Sequence, residues 1–305
     1  MLRFLHGQLS NEYSFSFEPS LFNINAHLQL QSAVGWHSFY AVDEETKKVK
    51  ASIHVNVTNQ IASSPLRASF GGLELSDDLH ENMVADFVEF VLTNLNKLGV
   101  KTIVIKQSPF EDDERISNSF LNAGCKIQLT EVDSFLKVQG QFDEHLQERK
   151  AKKLRSLKKR NWIFETARLD RLSETYKFIL KSRASKGYSL SMSFEQVDQF
   201  AKTFPERVLL FQVLKGSNII AASICLKVKS NWLYDFYHDH DSEYDADSPI
   251  LFLIDGTYDF CKVKAIDWIE LGTSMKGTEV NTTLLEFKER LGAVTVPKIT
   301  FLKEF

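Results

Sequence analysis

Apolar positions along this chain recur with a period near two in some stretches and near 3.6 in others, and the switches mark its elements. SFYAV and KASIHVNV, between residues 38 and 57, are β-rich runs separated by the polar DEETKK, a pattern that predicts a hairpin. RASFGGLELS follows as a strand interrupted by Gly71 and Gly72. From Asp77 to Leu98 the apolar residues Leu79, Met83, Phe87, Phe90, Val91, Leu95 and Leu98 keep helical spacing, and Gly99 ends the helix. KTIVIKQ is a short buried run, a helix spans residues 115–122, and KIQLTEVDSFLKV supplies a closing strand or hairpin.

The second half repeats this order. Helices are predicted over 174–185 and 194–203, then a hairpin through RVLLFQVLKGSNIIAASICLKV turning at Lys215-Gly216-Ser217-Asn218. WLYDFYHDH is the next strand. Ser248 followed by Pro249 reads as an N-cap serine with proline in the first helical position. The helix ILFLIDGTYDFCKV, the run AIDWIEL, a helix over LLEFKERLGA and a strand over VPKITFLKEF complete the half. SFLNAGCKIQLTEVDSFLKV and EFKERLGAVTVPKITFLKEF occupy matching places, as do KTIVIKQSP and AIDWIELGTS. Alternating strands and helices predict an α/β (α+β) protein with an internal duplication, residues 1–140 and 141–305, joined near Gly140.

Composition narrows the function classes. The 305 residues are 43% apolar and 25% charged, a globular balance, and 24 are Phe, so rings should dominate the cores. A net charge of −3 argues against a general binder of nucleic acid or membrane surfaces. Cys125, Cys225 and Cys261 are far apart in apolar stretches, matching buried reduced thiols rather than disulfides or a zinc site. The first fifteen residues lack a sustained apolar segment, so no signal peptide is expected, and no window predicts a membrane span. The expected location is cytoplasmic. Glycine-rich phosphate loops, a Gly-x-Ser-x-Gly elbow and a His-Glu-x-x-His helix are all missing, which speaks against redox, kinase-like and hydrolase chemistry.

The order hairpin, strand, Ser-Pro-started helix, AIDWIELGTS and LLEFKERLGAVTVPK resembles the acyl-CoA N-acyltransferase (GNAT) fold. More narrowly it is similar to the tandem form of FemAB-type aminoacyl transferases and BioF2-like acetyltransferase domains. The specific part is Phe287-Lys288 followed by Leu291-Gly292-Ala293, with Asp267 and Gly272-Thr273-Ser274 upstream. The resemblance implies two GNAT-like domains, each a mixed central sheet flanked by helices, and transfer of an acyl or aminoacyl group from an activated donor to an amine. It implies acyl-CoA or aminoacyl-tRNA as co-substrate, with no tightly bound cofactor. The acceptor would be a small molecule or a cell-envelope or polysaccharide precursor. It places Phe287, Lys288, Gly272, Thr273, Ser274 and Ser248 against the donor, with Lys288 polarising the reacting carbonyl or neutralising a donor phosphate. Taken on spacing alone, Lys288 reads as a solvated helix lysine beside a core phenylalanine.

The stretch HDHDSEYDADSP departs from that family's phosphate-cradling loop, being acidic and free of glycine. Within it His238 and Asp239 are candidates for taking the amine's proton; the same stretch also reads as a metal site or a solvated loop, and no metal is assigned. Eight of the twelve residues 149–160 are Lys or Arg. Arg155, Lys159 and Arg160 are the candidates there for holding phosphates, against a solvated inter-domain helix. Gly71 and Gly72 allow either a bulge or close approach of a substrate to the backbone. Tyr237 stands with Trp36, Tyr234 and Phe236 as core or substrate-contact aromatics. Two further readings stay open beside the acyltransferase: a GNAT-fold protein that binds a phosphate-bearing ligand without catalysis, and an RNA-associated protein using the basic helix.

Overall fold

The computed structural model describes residues 2–109 and 113–305. Along the chain run β1 (Leu2–His6), α1 (Asn25–Gln31), β2 (Trp36–Asp43), β3 (Lys48–Thr58), β4 (Ile61–Ser64), β5 (Glu74–Leu75), α2 (Glu81–Lys97), β6 (Thr102–Lys106), α3 (Glu114–Asn122) and β7 (Lys126–Lys137). Then come α4 (Glu148–Leu157), β8 (Trp162–Ala167), α5 (Leu172–Ser185), α6 (Phe194–Thr203), β9 (Val208–Lys215), β10 (Asn218–Lys229), β11 (Trp232–His240), α7 (Pro249–Val263), β12 (Trp268–Thr273), α8 (Thr282–Glu289) and β13 (Val294–Glu304). The repeated order of hairpin, strand, helix, strand, helix, strand is present in both halves.

Several local readings change. The helix expected from Asp77 begins at Glu81, because Ser76–Leu79 form a turn whose Asp78 is held by Lys50 and Ser76. The strand expected through Arg67–Ser76 shrinks to Glu74–Leu75 plus a single bridge from Gly71 to Gln107. Lys126–Lys137 is one long strand rather than a hairpin. Ser248 precedes the helix as expected, but at φ 58° its side chain makes no capping bond.

The chain divides into two compact units. The first takes the residues up to Val132 together with 275–279 and 296–305. Its strands lie in the order β1-β2-β3-β4-β6-β13-β7, the last of these through residues 126–132, so the chain's last strand is inserted between β6 and β7, antiparallel to β6 with Thr300 opposite Lys106. α2 buries Val84, Phe87, Val88, Val91, Leu92 and Leu95, the 3.6-period stripe that the sequence shows. Phe120 of α3 stacks on Phe301 of β13 at 5.0 Å.

The second unit takes 133–274 and 280–295. Its order is β8-β9-β10-β11-β12, with Asp133–Lys137 of β7 beside β12. Phe211 and Val213 of β9 face the apolar cluster that holds α4 and α7, whereas Gln212 between them turns to the opposite face and donates to Thr175 of α5. All three cysteines are buried free thiols. Among the described residues no helix is long and apolar enough to cross a membrane.

Candidate active site

The site is built where two parallel strands of the second unit part. β11 and β12 pair at Trp232–Trp268, Leu233–Ile269 and Tyr234–Glu270, and among the described residues their ladder stops there. Both strands are irregular just beyond that point. On β11, Tyr237 lies opposite Ile224 and Asp235 opposite the next residue, Cys225, so Phe236 is an extra residue in the ladder. On β12 the register against β7 shifts between Glu270 and Thr273, and Gly272 has φ 72°. A methyl group on Gly272 would sit 3.6 Å from the Tyr234 hydroxyl, so that ring lies against this backbone turn.

α8 supplies the charge. Asn281 caps it by accepting from the Leu284 amide, and its own amide donates to the Ser274 carbonyl, which fixes the helix against the end of β12. Lys288 is the helix's buried residue; its Nζ donates to the carbonyls of Gly272 at 2.6 Å and Thr273 at 3.1 Å. The solvated-lysine reading is therefore replaced by a buried ammonium holding the turn after β12. Ser274 is fully buried, and its hydroxyl has no hydrogen-bond partner among the described residues. The structure thus brings Gly272, Thr273, Ser274, Phe287 and Lys288 into one neighbourhood.

The extra residue at Phe236 has a second consequence. In a regular strand, residues three apart face opposite sides. With Phe236 inserted, Asp235 and His238 share a side, and His238 Nδ1 lies 2.7 Å from Asp235 Oδ2. Asp235 is buried and also accepts from the Cys225 thiol, which burial, then this carboxylate, push well above its usual value. His238 Nε2 has no partner among the described residues, and the side chain is 27% exposed. A carboxylate-oriented imidazole with its far nitrogen open is the arrangement of a proton acceptor. Asp235 escapes sequence reading because only the bulge makes the pair.

Asp239 and Tyr237 belong elsewhere. Asp239 accepts from Lys186, just after α5, at 2.6 Å, and Tyr237 bonds Ser191 and the Met192 amide, with the Arg183 guanidinium 5.7 Å from its ring. His240 turns to Asp245, so His238 and His240 serve different carboxylates.

The basic helix α4 reaches the same neighbourhood at its start. Lys150 Nζ lies 4.9 Å from the Phe287 ring centre; burial, then Arg290, Arg149 and Lys153, hold its ammonium below the usual lysine value. Lys153 donates to the Ala246 carbonyl and Arg160 to Asp247, so both tie down the segment before α7. Arg155 is exposed with Asp143 at 3.7 Å, and Lys159 is exposed. Lys150 and Lys153, which the sequence did not single out, stand nearer the site's other residues. Ser248 enters α7 in the left-handed conformation, with Arg160 and Lys153 holding Asp247 and Ala246 just before it.

Gly71 and Gly72 lie in the first unit and are packed by protein. A Cβ on Gly72, at φ 82°, would meet Gln107 Oε1 at 2.2 Å, and the Gly72 amide already donates to Ser64 Oγ. The close approach these glycines permit is that of Gln107 and Pro65.

Comparison with solved structures identifies the fold. FemX superposes with a TM-score of 0.72 at 11% identity, covering 99% of this chain and 97% of that one. L-PGS from Bacillus licheniformis gives 0.54 at 11% identity over 90% and 85%. A tandem GNAT protein from the clavulanic acid biosynthesis pathway gives 0.51 at 9% identity over 100% and 98%. No protein-family model matches the sequence, and no curated protein matches it. The chain has a FemX-like tandem GNAT fold.

Proposed function

We propose that this protein is an N-acyltransferase whose reaction centre is the opening between β11 and β12 in the second unit. The observation that carries the reading is that the parallel ladder ends at Tyr234 and Glu270 with an extra residue on β11 and a left-handed glycine on β12 beside it. A parted pair of strands leaves room for an extended donor to lie along the strand backbone. The fold shared with FemX and with a tandem GNAT protein supports the same assignment.

In the proposed step the acceptor amine attacks the acyl carbonyl carbon, a C–N bond forms, and the C–S bond of a thioester or the C–O bond of an aminoacyl ester breaks. His238 Nε2 takes the amine's proton and passes it to the departing thiolate or alkoxide, while Asp235 holds the ring through Nδ1. Lys288 keeps positive charge at the Gly272–Thr273 turn, where negative charge develops on the carbonyl oxygen. Arg149, Lys150 and Lys153 lie at the start of α4 beside Phe287 and the segment before α7, a fit for the phosphates that both CoA and tRNA carry. Asp247 and Asp245 in that segment are already paired with Arg160 and His240, which lessens their opposition to an anion. Such donors go with a cytoplasmic setting and an acceptor amine on a small molecule or an envelope precursor.

One observation favours a second reading, a binding protein without catalysis: the segment before α7 is a glycine-free 3-10 turn over Ser242–Asp247 rather than a phosphate-cradling loop. Thermal-shift titration with acetyl-CoA, longer acyl-CoAs, free CoA and aminoacyl-tRNA separates the two. A donor at 100 times its Kd should add about 2.7 kcal/mol of stability. Lys150→Ala with Lys153→Ala should remove that gain, and His238→Gln should keep it while abolishing acyl release. Stabilisation by none of the donors would end the acyltransferase reading. Stabilisation with no turnover in the presence of amines would favour the binding protein.

A further inference from the structure

The first unit contains a cavity of about 540 Å³ that the acyl-transfer chemistry does not use. It lies between the end of β1, the chain that follows, α1 and the β2–β3 hairpin, and its size falls in the range of small-molecule sites. Among the described residues no Asp, Glu, Lys or Arg lines it. The polar groups are instead the imidazoles of His6, His37 and His54 and the amides of residues such as Asn25 and Gln29, with the Trp36 indole as an apolar wall.

His54 is the informative residue. It stands in the middle of β3 between Ile53 and Val55, two core residues, and is only 6% exposed. Its Nδ1 lies 2.8 Å from Ser38 Oγ, across the hairpin. The other ring nitrogen has no partner among the described residues, and the ring lines the cavity. Burial pushes the imidazole down to about 4, so it is neutral near pH 7. The second nitrogen is not among the buried unpartnered atoms, so it opens on the cavity rather than into the core.

His6 and His37 add direction. His6 Nε2 and His37 Nδ1 are 3.1 Å apart, so one donates and the other accepts. The His6 ring is stacked on Phe39 at 4.3 Å, which fixes its plane. Burial holds both imidazoles below their usual value, and for His37 the His6 ring contributes as well. Without a counter-charge the site offers nothing to a phosphate, a carboxylate or an ammonium that would repay desolvation. Imidazoles, amides and hydroxyls donate and accept alike, as every hydroxyl of a ligand requires.

We propose that this cavity binds an uncharged, hydroxyl-rich ring, a saccharide unit, with His54 and the His6–His37 pair bonding its hydroxyls and Trp36 against its apolar side. The proposal rests on the first unit alone and is independent of the acyl-transfer reading.

Saturation-transfer NMR and calorimetry on the full chain test it, with glucose, N-acetylglucosamine and glucose 6-phosphate as probes. At least one neutral sugar should bind, and glucose 6-phosphate should bind at least about tenfold more weakly than glucose, a difference of about 1.4 kcal/mol. Asn25→Ala and Gln29→Ala, at exposed positions of α1, should each weaken the neutral sugar severalfold with Tm unchanged. His54→Phe keeps an aromatic ring and removes the nitrogen that faces the cavity; it should abolish binding and lower Tm only by the loss of the Ser38 bond. Equal or tighter binding of the phosphorylated sugar overturns the proposal. So does the lack of any transfer to both neutral sugars at about ten times a 1 mM Kd, or loss of Tm with unchanged sugar binding in His54→Phe.

Discussion

Both units contain a seam where two strands run parallel, and the two seams end differently. In the first, β4 pairs β6 from Ile61–Thr102 to Ser64–Ile105, and the seam then continues through Gly71, whose amide donates to the Lys106 carbonyl. The Gln107 amide side chain stitches the gap by bonding both the amide and the carbonyl of Leu73. In the second, the β11–β12 seam stops after Tyr234–Glu270 among the described residues, and Lys288 holds two carbonyls beyond it. One duplicated plan has been closed in one copy and left open in the other. A closed seam is structure; the open one is where the proposed reaction centre lies.

The largest expected effect separates the units by acid. His27 and His54, both in the first unit, are pushed down to about 4, so each is neutral when folded and takes a proton readily only when unfolded. Their stabilisation is complete above pH 6.5 and is lost as pH falls from 6.5 through 4, by about 3 kcal/mol for each histidine. Hydrogen exchange at pH 7 and pH 4.5 should show amides of β2 and β3 losing protection before those of β9 and β10. Simultaneous loss would mean that the units do not differ in this way.

Next, Lys288→Met should slow acyl transfer about 100-fold or more if its charge serves the transition state. Donor affinity should change far less, and single-turnover rates beside donor titrations distinguish the two. An equal loss in both would make Lys288 a support of the Gly272–Thr273 turn alone.

Alanine at the paired glycines sharpens the contrast of the seams. Gly72→Ala carries the left-handed backbone penalty plus collision with Gln107, together about 2–4 kcal/mol. Gly272→Ala meets only ordinary contact with Tyr234 and should cost about 1–2 kcal/mol. Denaturant melts of the two variants give the order directly, and Gln107→Ala should recover part of the first loss. The smallest effect is expected from Arg160→Ala, whose bridge to Asp247 is about one-third exposed at both ends and worth under about 1 kcal/mol.

Much of this architecture is legible in the sequence because local patterns dictate it. The β9–β10 turn at Gly216-Ser217 and the helix Phe194–Thr203 with its Ser193 capping box follow from neighbours a few residues apart. The Phe287-Lys288 neighbourhood is reachable by resemblance. The Asp235–His238 pair is not, since one inserted residue reverses which side of a strand each faces, and no propensity marks Phe236 as that residue. The pairing of β13 with β6 is equally silent, because register between strands distant in sequence leaves no local trace. Lys150 is hidden in a run of like charges, where only packing against Phe287 sets it apart.

That β13 is inserted into the first sheet also bears on how the chain is made. A unit begun at the amino end normally completes its core as soon as it leaves the ribosome. Here residues 296–305 supply a strand inside the first sheet, between β6 and β7, and the ring of Phe301 that stacks on Phe120. The first sheet therefore lacks this inserted strand until the residues of β13 are translated, well after those of β6 and β7. For that interval the nascent chain presents an open strand edge, the kind of surface that chaperones shield.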